Sequence, residues 1–345
     1  MSAPDLYVTN FNRNFTGVSA TIAGLVPVQD YDLRLVGHAL PGCPAPISRA
    51  KAAAQSATKP LGKPFAIWHV RRNTEMRAGL WARDMLRRPI KLVFTSAAQR
   101  RHSALPRWLI SKMDAVIATT DLAANFVPHV RAVVPHGVDT TRFAPAINRD
   151  AAWAALGYGG ARGVATVGRI RPEKGTDRFV EAMLRVLPLQ PDVTALVIGK
   201  AGSADQAFLA NLKDKIAAAG LSDRLLFPGE IDGAQMPNLM RALSLLCPLP
   251  RYEGYGMTPL EAMASGVPFV GTDVGYFRQF SDQGQAGQVV EASEASEAIN
   301  ALLSDENRLA KLSAAARETA CGHHGIETEA AGIARVYEEL WSAGL

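Results

Sequence analysis

The sequence predicts an α/β protein of two doubly wound parallel-sheet domains. Three observations predict it: a length of 345 residues with 48% apolar and 20% charged content, short apolar runs alternating with helical stretches in both halves, and a Pro- and Gly-containing break between them. In the first half the apolar runs are residues 6–8, 33–36, 65–68, 91–94, 115–118 and 132–134. A loop with Pro135, Gly137 and Pro145 reads as a linker. The pattern restarts at 164–167, 195–198, 225–227, 245–247 and 269–270, with helical segments over 177–186, 207–219 and 235–242 between the runs. The expected domains are therefore 1–147 and 148–327. A tail, 328–345, carries helical spacing at Ile333, Val336, Tyr337, Leu340 and Trp341 and is expected to cross back onto the first domain. In such sheets ligands sit at the carboxyl ends of the strands, so the cleft between the domains is the expected site.

Bulk properties narrow the function classes. No apolar run reaches the ~18 to 20 residues of a membrane span, and Met1-Ser2-Ala3-Pro4-Asp5 lacks a signal-peptide layout, so a cytoplasmic location is expected. Cys43, Cys247 and Cys321 are far apart and odd in number, which suits reduced thiols and offers no zinc spacing. The formal charge of +5 hides an asymmetry. Between Arg49 and Lys112 fifteen basic residues face only Glu75 and Asp84, a local +13 that leaves −8 for the rest. That imbalance points to an anionic partner: phosphates, anionic lipid headgroups or an acidic substrate.

The stretch Arg251-Tyr252-Glu253-Gly254-Tyr255-Gly256-Met257-Thr258-Pro259-Leu260-Glu261 carries the most chemistry. A buried run, 244–249, leads into a turn where Gly254 and Gly256 let the backbone bend tightly. Thr258 reads as an N-cap and Pro259 as the first helical residue, which puts unpaired amides and the positive helix end at the turn, an anion seat. Glu253 stands before the turn, where it can face a sugar ring. Glu261 lies one turn inside the helix, where it either reaches back to a ribose or closes a Thr258-x-x-Glu261 capping box.

A second motif is Val167-Gly168-Arg169-Ile170-Arg171-Pro172-Glu173-Lys174-Gly175. A strand ends at Gly168, and Arg169 and Lys174 come from the two sides of the following loop. Two permanent cations at a strand end suit a diphosphate, and they stabilise charge that develops on a leaving group.

Taken together, Gly168-Arg169 with Lys174-Gly175, then Phe227-Pro228-Gly229-Glu230, then Glu253-x7-Glu261 running into Ala262-Met263-Ala264-Ser265-Gly266-Val267-Pro268, resemble the retaining glycosyltransferases of the group 1, or family 4, class. The resemblance spans roughly 133–275. It implies the GT-B fold, two Rossmann-like domains facing across a cleft, with no metal and no cofactor beyond a nucleotide-sugar donor. By position it implies Arg169 and Lys174 on the diphosphate, Glu253 on the donor sugar, and the turn amides of Tyr255, Gly256, Met257 and Thr258 on phosphate. It further implies Glu261 on the ribose and Gly229, Glu230 and Ile231 beside the base.

In the first half Trp68-His69-Val70-Arg71-Arg72-Asn73, residues 93–103 and Pro135-His136-Gly137-Val138-Asp139 look like the subgroup that adds mannose to the lipopolysaccharide inner core. That implies GDP-mannose as donor, a Kdo-containing lipid A precursor as acceptor, an α-linked product and a peripheral location on the inner membrane face, held by the basic residues between Arg49 and Lys112. Two positions depart from the family pattern. Thr95-Ser96 stands where many relatives carry an active-site His, so His69, His102 and His136 are the substitutes, with His69 the preferred catalytic residue. Gly275-Tyr276-Phe277-Arg278-Gln279 replaces a common Gly-Gly-x-Pro-Glu. Within Asn14-Phe15-Thr16-Gly17-Val18, Gly17 would allow close approach of the backbone to donor or acceptor, whereas Asp30-Tyr31-Asp32 reads as a surface turn. The alternatives are a UDP-sugar enzyme of the same fold acting on another glycolipid and, outside that class, another nucleotide-binding protein. A dinucleotide oxidoreductase lacks its Gly-x-Gly-x-x-Gly here, and no nucleic-acid-binding signature accompanies the basic segment.

Overall fold

The computed structural model describes residues 3–14 and 16–344, so Phe15 of the Asn14–Val18 motif lies outside the described residues. The chain forms two compact units, Met1–Gly137 with Ile326–Leu345, and Val138–Gly325. The division falls after Gly137, ahead of the position 147 read from the sequence. Residues 138–147 belong to the second unit because Val138 and Phe143 are buried with Trp153, and Arg317 Nη1 donates to the Thr140 and Phe143 carbonyls.

In the first unit six parallel strands, β1 (Leu6–Asn10), β2 (Leu33–Gly37), β3 (Ala66–Val70), β4 (Ile90–Ser96), β5 (Ala115–Ala118) and β6 (Val130–Val133), form a sheet in the order β2-β1-β3-β4-β5-β6. Alternation assigns the faces. Leu6, Val8, Ile67, Val93, Ala115 and Ile117 pack with the Gly17–Leu25 and Ile326–Ser342 helices, while Tyr7, Trp68, Val70, Leu92, Phe94 and Val116 pack with the Asn73–Leu80 and Ala104–Ser111 helices. Both faces are thus covered, as parallel sheets require. The final helix is part of this core: Ile326, Ala330, Ile333, Val336, Tyr337 and Trp341 are buried, and Trp341 Nε1 donates to the Phe65 carbonyl at 2.9 Å.

A buried carboxylate joins the carboxyl ends of β1 and β3. Glu75 is fully buried and accepts from Thr9 Oγ1 (2.9 Å), Phe11 N (3.0 Å), Arg71 N (2.8 Å), Arg72 N (3.1 Å) and Arg72 Nη1 (2.8 Å). The basic segment is more fully paired than its sequence suggests, because counter-charges come from outside it. Asp5 pairs with Lys63, and Asp114 pairs with both Arg83 and Lys91.

The second unit repeats the plan with β7 (Arg162–Val167), β8 (Val193–Ile198), β9 (Leu225–Gly229) and β10 (Leu245–Leu246) in the parallel order β10-β7-β8-β9. A parallel pair, β11 (Val270–Gly271) and β12 (Gln288–Val289), continues from β10 through a bridge between Leu246 and Phe269. The two-residue β12 and the long Glu306–His323 helix were not legible as apolar runs in the sequence.

Candidate active site

Three glycines stand side by side where β7, β8 and β9 end. Gly168 N donates to the Ile198 carbonyl, and Gly199 N donates to the Gly229 carbonyl, each at 2.9 Å. A Cβ on Gly199 (φ +141°) would lie 1.9 Å from the Gly168 oxygen, so the strand ends meet more closely than any other residue permits. Beyond Gly229, Glu230 is exposed and Ile231 is half-buried against the core.

The loop 168–175 lies directly on the chain leaving β10. Gly175 (φ +67°) places its Cβ position 1.8 Å from the Leu249 oxygen, a contact only glycine allows. That contact brings two predicted residues together: Lys174 Nζ lies 2.5 Å from Glu253 Oε2. From the other side Arg251 grips Asp177 through both nitrogens, at 2.8 and 2.6 Å, and its amide donates to the Glu173 carbonyl. Burial works to raise the Asp177 pKa, but the Arg251 bonds outweigh it and hold the carboxyl below its ordinary value. Arg169 is exposed, with no hydrogen bond or ion pair among the described residues.

The helix that follows runs Met257–Ala264 and starts earlier than the sequence suggested. Its N-cap is Gly256, whose φ of +109° and closeness to Phe277, 2.2 Å from a Cβ position, admit no side chain. Thr258 is therefore the second helical residue, not the cap, and the Thr258–Glu261 capping box does not form. The Met257 and Thr258 amides lie in the first turn, where the helix offers no internal acceptor. Tyr255 contributes backbone rather than its ring to the turn: the ring is buried and stacks on Tyr276 at 5.1 Å between centroids. Gly275, Tyr276 and Phe277, in place of the common acidic motif, form the buttress beneath, with Tyr276 N donating to the Tyr255 carbonyl at 2.8 Å.

Released from capping, Glu261 is half-buried. Burial pushes its pKa up to about 7, and the charge of Arg142 opposes the rise. Arg142 carried no sequence signal; it lies outside every motif. Because the folded pKa exceeds the ordinary 4.5, Glu261 takes up a proton on folding between about pH 4.5 and 7, and the stability this gives is lost as pH rises through 7. Glu261→Gln is expected to match the parent protein at pH 4 and to exceed it at pH 8 by on the order of 3 kcal/mol. Thermal melts at the two pH values check this; an equal shift at both would contradict it.

Two predicted residues belong to the first unit. Gly17 opens the Gly17–Leu25 helix, and a Cβ there would meet nothing within 4 Å, so no contact among the described residues demands glycine. His69, preferred from sequence as catalytic, is not in a loop. It sits fully buried in β3, with Nδ1 at 2.5 Å from Tyr337 Oη and Nε2 at 2.7 Å from Thr95 Oγ1. Both ring nitrogens are engaged, and burial, then the Arg71 charge, lower its pKa well below the usual value. His69, the catalytic residue preferred from sequence, is thus a buried group bonded to Thr95 and Tyr337 in this structure. His136 is likewise held, by Glu329 at 2.7 Å. Among the described residues no three His, Cys, Asp or Glu side chains cluster closely enough to hold a metal ion.

Known proteins place this geometry. The family model for glycosyl transferases group 1 matches residues 156–319. Over 348 aligned residues the chain is 41% identical to the lipopolysaccharide core biosynthesis mannosyltransferase LpsB of Rhizobium meliloti (strain 1021), covering 97% of each chain. The chain is a group 1 glycosyltransferase. A second relative, the lipopolysaccharide core biosynthesis mannosyltransferase LpcC of Rhizobium leguminosarum bv. viciae, is 39% identical over 97% of this chain and 96% of its own. The solved C-terminal domain of the group 1 glycosyltransferase LpcC from Francisella tularensis is 34% identical over 55% of this chain and all of its own, with a TM-score of 0.54. Anabaena HepE, solved with UDP and glucose, covers 97% of this chain and 99% of its own at a TM-score of 0.81 and 18% identity, which shows a shared fold. The glycosyltransferase thus has the two Rossmann-like units of the GT-B fold, and its family match contains both the cationic loop and the glycine turn.

Proposed function

We propose that this glycosyltransferase moves mannose from GDP-mannose, with retention at the anomeric carbon, onto a Kdo-containing lipopolysaccharide core precursor. The single observation that carries the reading is the 41% identity over 97% of the chain to a lipopolysaccharide core mannosyltransferase. The second-unit site supports it chemically. Arg169 and Lys174 would hold the diphosphate and stabilise it as it departs, joined by the Met257 and Thr258 amides at the helix N-terminus. Glu253, freed from Lys174 as the phosphate arrives, would orient the sugar hydroxyls. Glu261 would accept from the ribose, with Gly229, Glu230 and Ile231 beside the base and Gly168 giving the diphosphate close access to the backbone. The acceptor hydroxyl would attack from the face the diphosphate leaves, and these fixed cations would take the place of a metal ion.

Attachment to the inner membrane surface belongs to the same proposal. No helix among the described residues is long and apolar enough to cross a membrane. Trp81, Met85 and Trp108 are 54%, 73% and 55% exposed, close in sequence to Arg77, Arg87, Arg88 and Arg107. Aromatic and basic side chains together suit an anionic interface.

Purified protein with GDP-mannose and a Kdo–lipid A acceptor in anionic vesicles is expected to add one hexose mass, unaffected by EDTA, and to float with the vesicles. Transfer from UDP-glucose but not GDP-mannose would favour the same-fold alternative. Activity abolished by EDTA, or protein left at the bottom of the gradient, would remove the metal-free or membrane part.

A further inference from the structure

We propose that the first unit carries a built anion site, formed by Arg71 and Thr119 at the carboxyl end of its sheet, that takes a carboxylate or phosphate group of the acceptor. The observation is a guanidinium without a counterpart. Arg71 directly follows β3, and its Nε and Nη1 are shielded from solvent yet have no hydrogen-bond partner among the described residues. Burying an unpaired cation is costly, and proteins seldom leave one so.

The nearby carboxylates do not satisfy it. Glu75 spends its oxygens on Thr9, Phe11 N, Arg72 and the Arg71 amide rather than the Arg71 side chain. Glu329 is taken by His136 Nδ1 at 2.7 Å and Gly137 N at 2.8 Å. Both are close enough to act on Arg71 through space, but neither bonds it.

A second orphan lies on the same face. Thr119 follows β5, its amide donates to the Ser96 carbonyl at 3.0 Å, and its Oγ1 is shielded without a partner. Strand alternation puts Arg71 in line with Ile67 and His69, and Thr119 in line with Ala115 and Ile117, the side packed by the Ile326–Ser342 helix. Between them runs β4, with Thr95 held by His69. Continued one residue past the strands, the pairing sets Arg71 level with Thr95 and Thr119 level with Ala97, so the orphans lie two strands apart and two residues apart along the sheet, about 12 Å between Cα atoms. An anion held between them would receive a charge-assisted bond from Arg71 and a hydroxyl bond from Thr119. The site's naming as an acceptor site rests on the proposed function; its anion chemistry does not.

Two measurements test it. In steady-state kinetics with GDP-mannose and the Kdo–lipid A acceptor, Arg71→Gln is expected to raise the acceptor KM by about 10- to 100-fold and Thr119→Val by about 3- to 10-fold, with the donor KM unchanged. Arg71→Lys, which keeps the charge, should recover part of the loss. In calorimetry without turnover, the parent protein should bind Kdo methyl glycoside or a hexose phosphate, and should reject the carboxamide analogue of the former. Binding of the acid identifies a carboxylate, binding of the phosphate ester a phosphate, and either supports the site if Arg71→Gln or Thr119→Val loses it. Equal binding of acid and amide, or a rise in donor KM alone, would overturn it. If no hexose is transferred but acid is still distinguished from amide, the donor reading fails and the anion site stands.

Discussion

Replacing Arg169 and Lys174 together by alanine is expected to lower kcat by about 10³-fold or more while the protein stays folded. Removal of one pre-placed donor to a developing negative charge costs about 10²- to 10³-fold, and here two full charges go. The unequal surroundings of the two residues predict unequal single effects. Lys174 is paired with Glu253 at 2.5 Å, so Lys174→Ala also leaves an unpaired carboxylate next to the proposed diphosphate position; both kcat and donor KM should worsen. Arg169 is exposed and has no partner among the described residues, so Arg169→Ala disturbs only the bound state. Single-turnover rates with saturating donor separate the two. A double variant with near-normal turnover would refute the assigned leaving-group role.

Glu75→Ala is expected to destabilise the first unit by about 3–5 kcal/mol, because breaking a buried, fully bonded charge strands every group that faced it. Thr9, Phe11 N, the Arg71 and Arg72 amides and the Arg72 guanidinium all lose an acceptor at once. Arg72 retains bonds to Asn10, Thr16 and Ser19, which limits the damage but does not replace a counter-charge. Glu75→Gln keeps the shape and should cost less. Urea denaturation measures both; a loss under about 1 kcal/mol in Glu75→Ala would show that water or a rearranged Arg72 takes over.

The sheets were legible in the sequence because strands covered on both faces read as short apolar runs, and Leu245-Leu246 showed this even at two residues of pairing. The glycine turn and the cationic loop were legible because permissive backbone and charge leave composition marks. Three features were hidden, each for a physical reason. Thr-Pro is a good helix start, but Gly256 displaces it because the backbone must pass against Phe277, a tertiary demand that no local pattern encodes. His69 looked like a loop residue because the apolar run 65–68 stops short of it, whereas β3 extends to Val70 and buries it. Arg142 and Asp114 act on residues far along the chain, so neither the pairing that shrinks the basic patch nor the charge facing Glu261 could be seen locally.

The placement of the last helix sets an order of assembly. Val138–Gly325 is one unbroken stretch with its own core, so it can fold as soon as it has left the ribosome. The first unit cannot, although its strands are made first: Tyr337 and Trp341, which close over β3 and the Phe65 carbonyl, are synthesised only after the whole of the second unit. The unit whose strands come first is completed after the other. Until then the part of one apolar sheet face that Tyr337 and Trp341 close over is uncovered, which leaves the nascent chain an interval of exposure to chaperones and to misassociation.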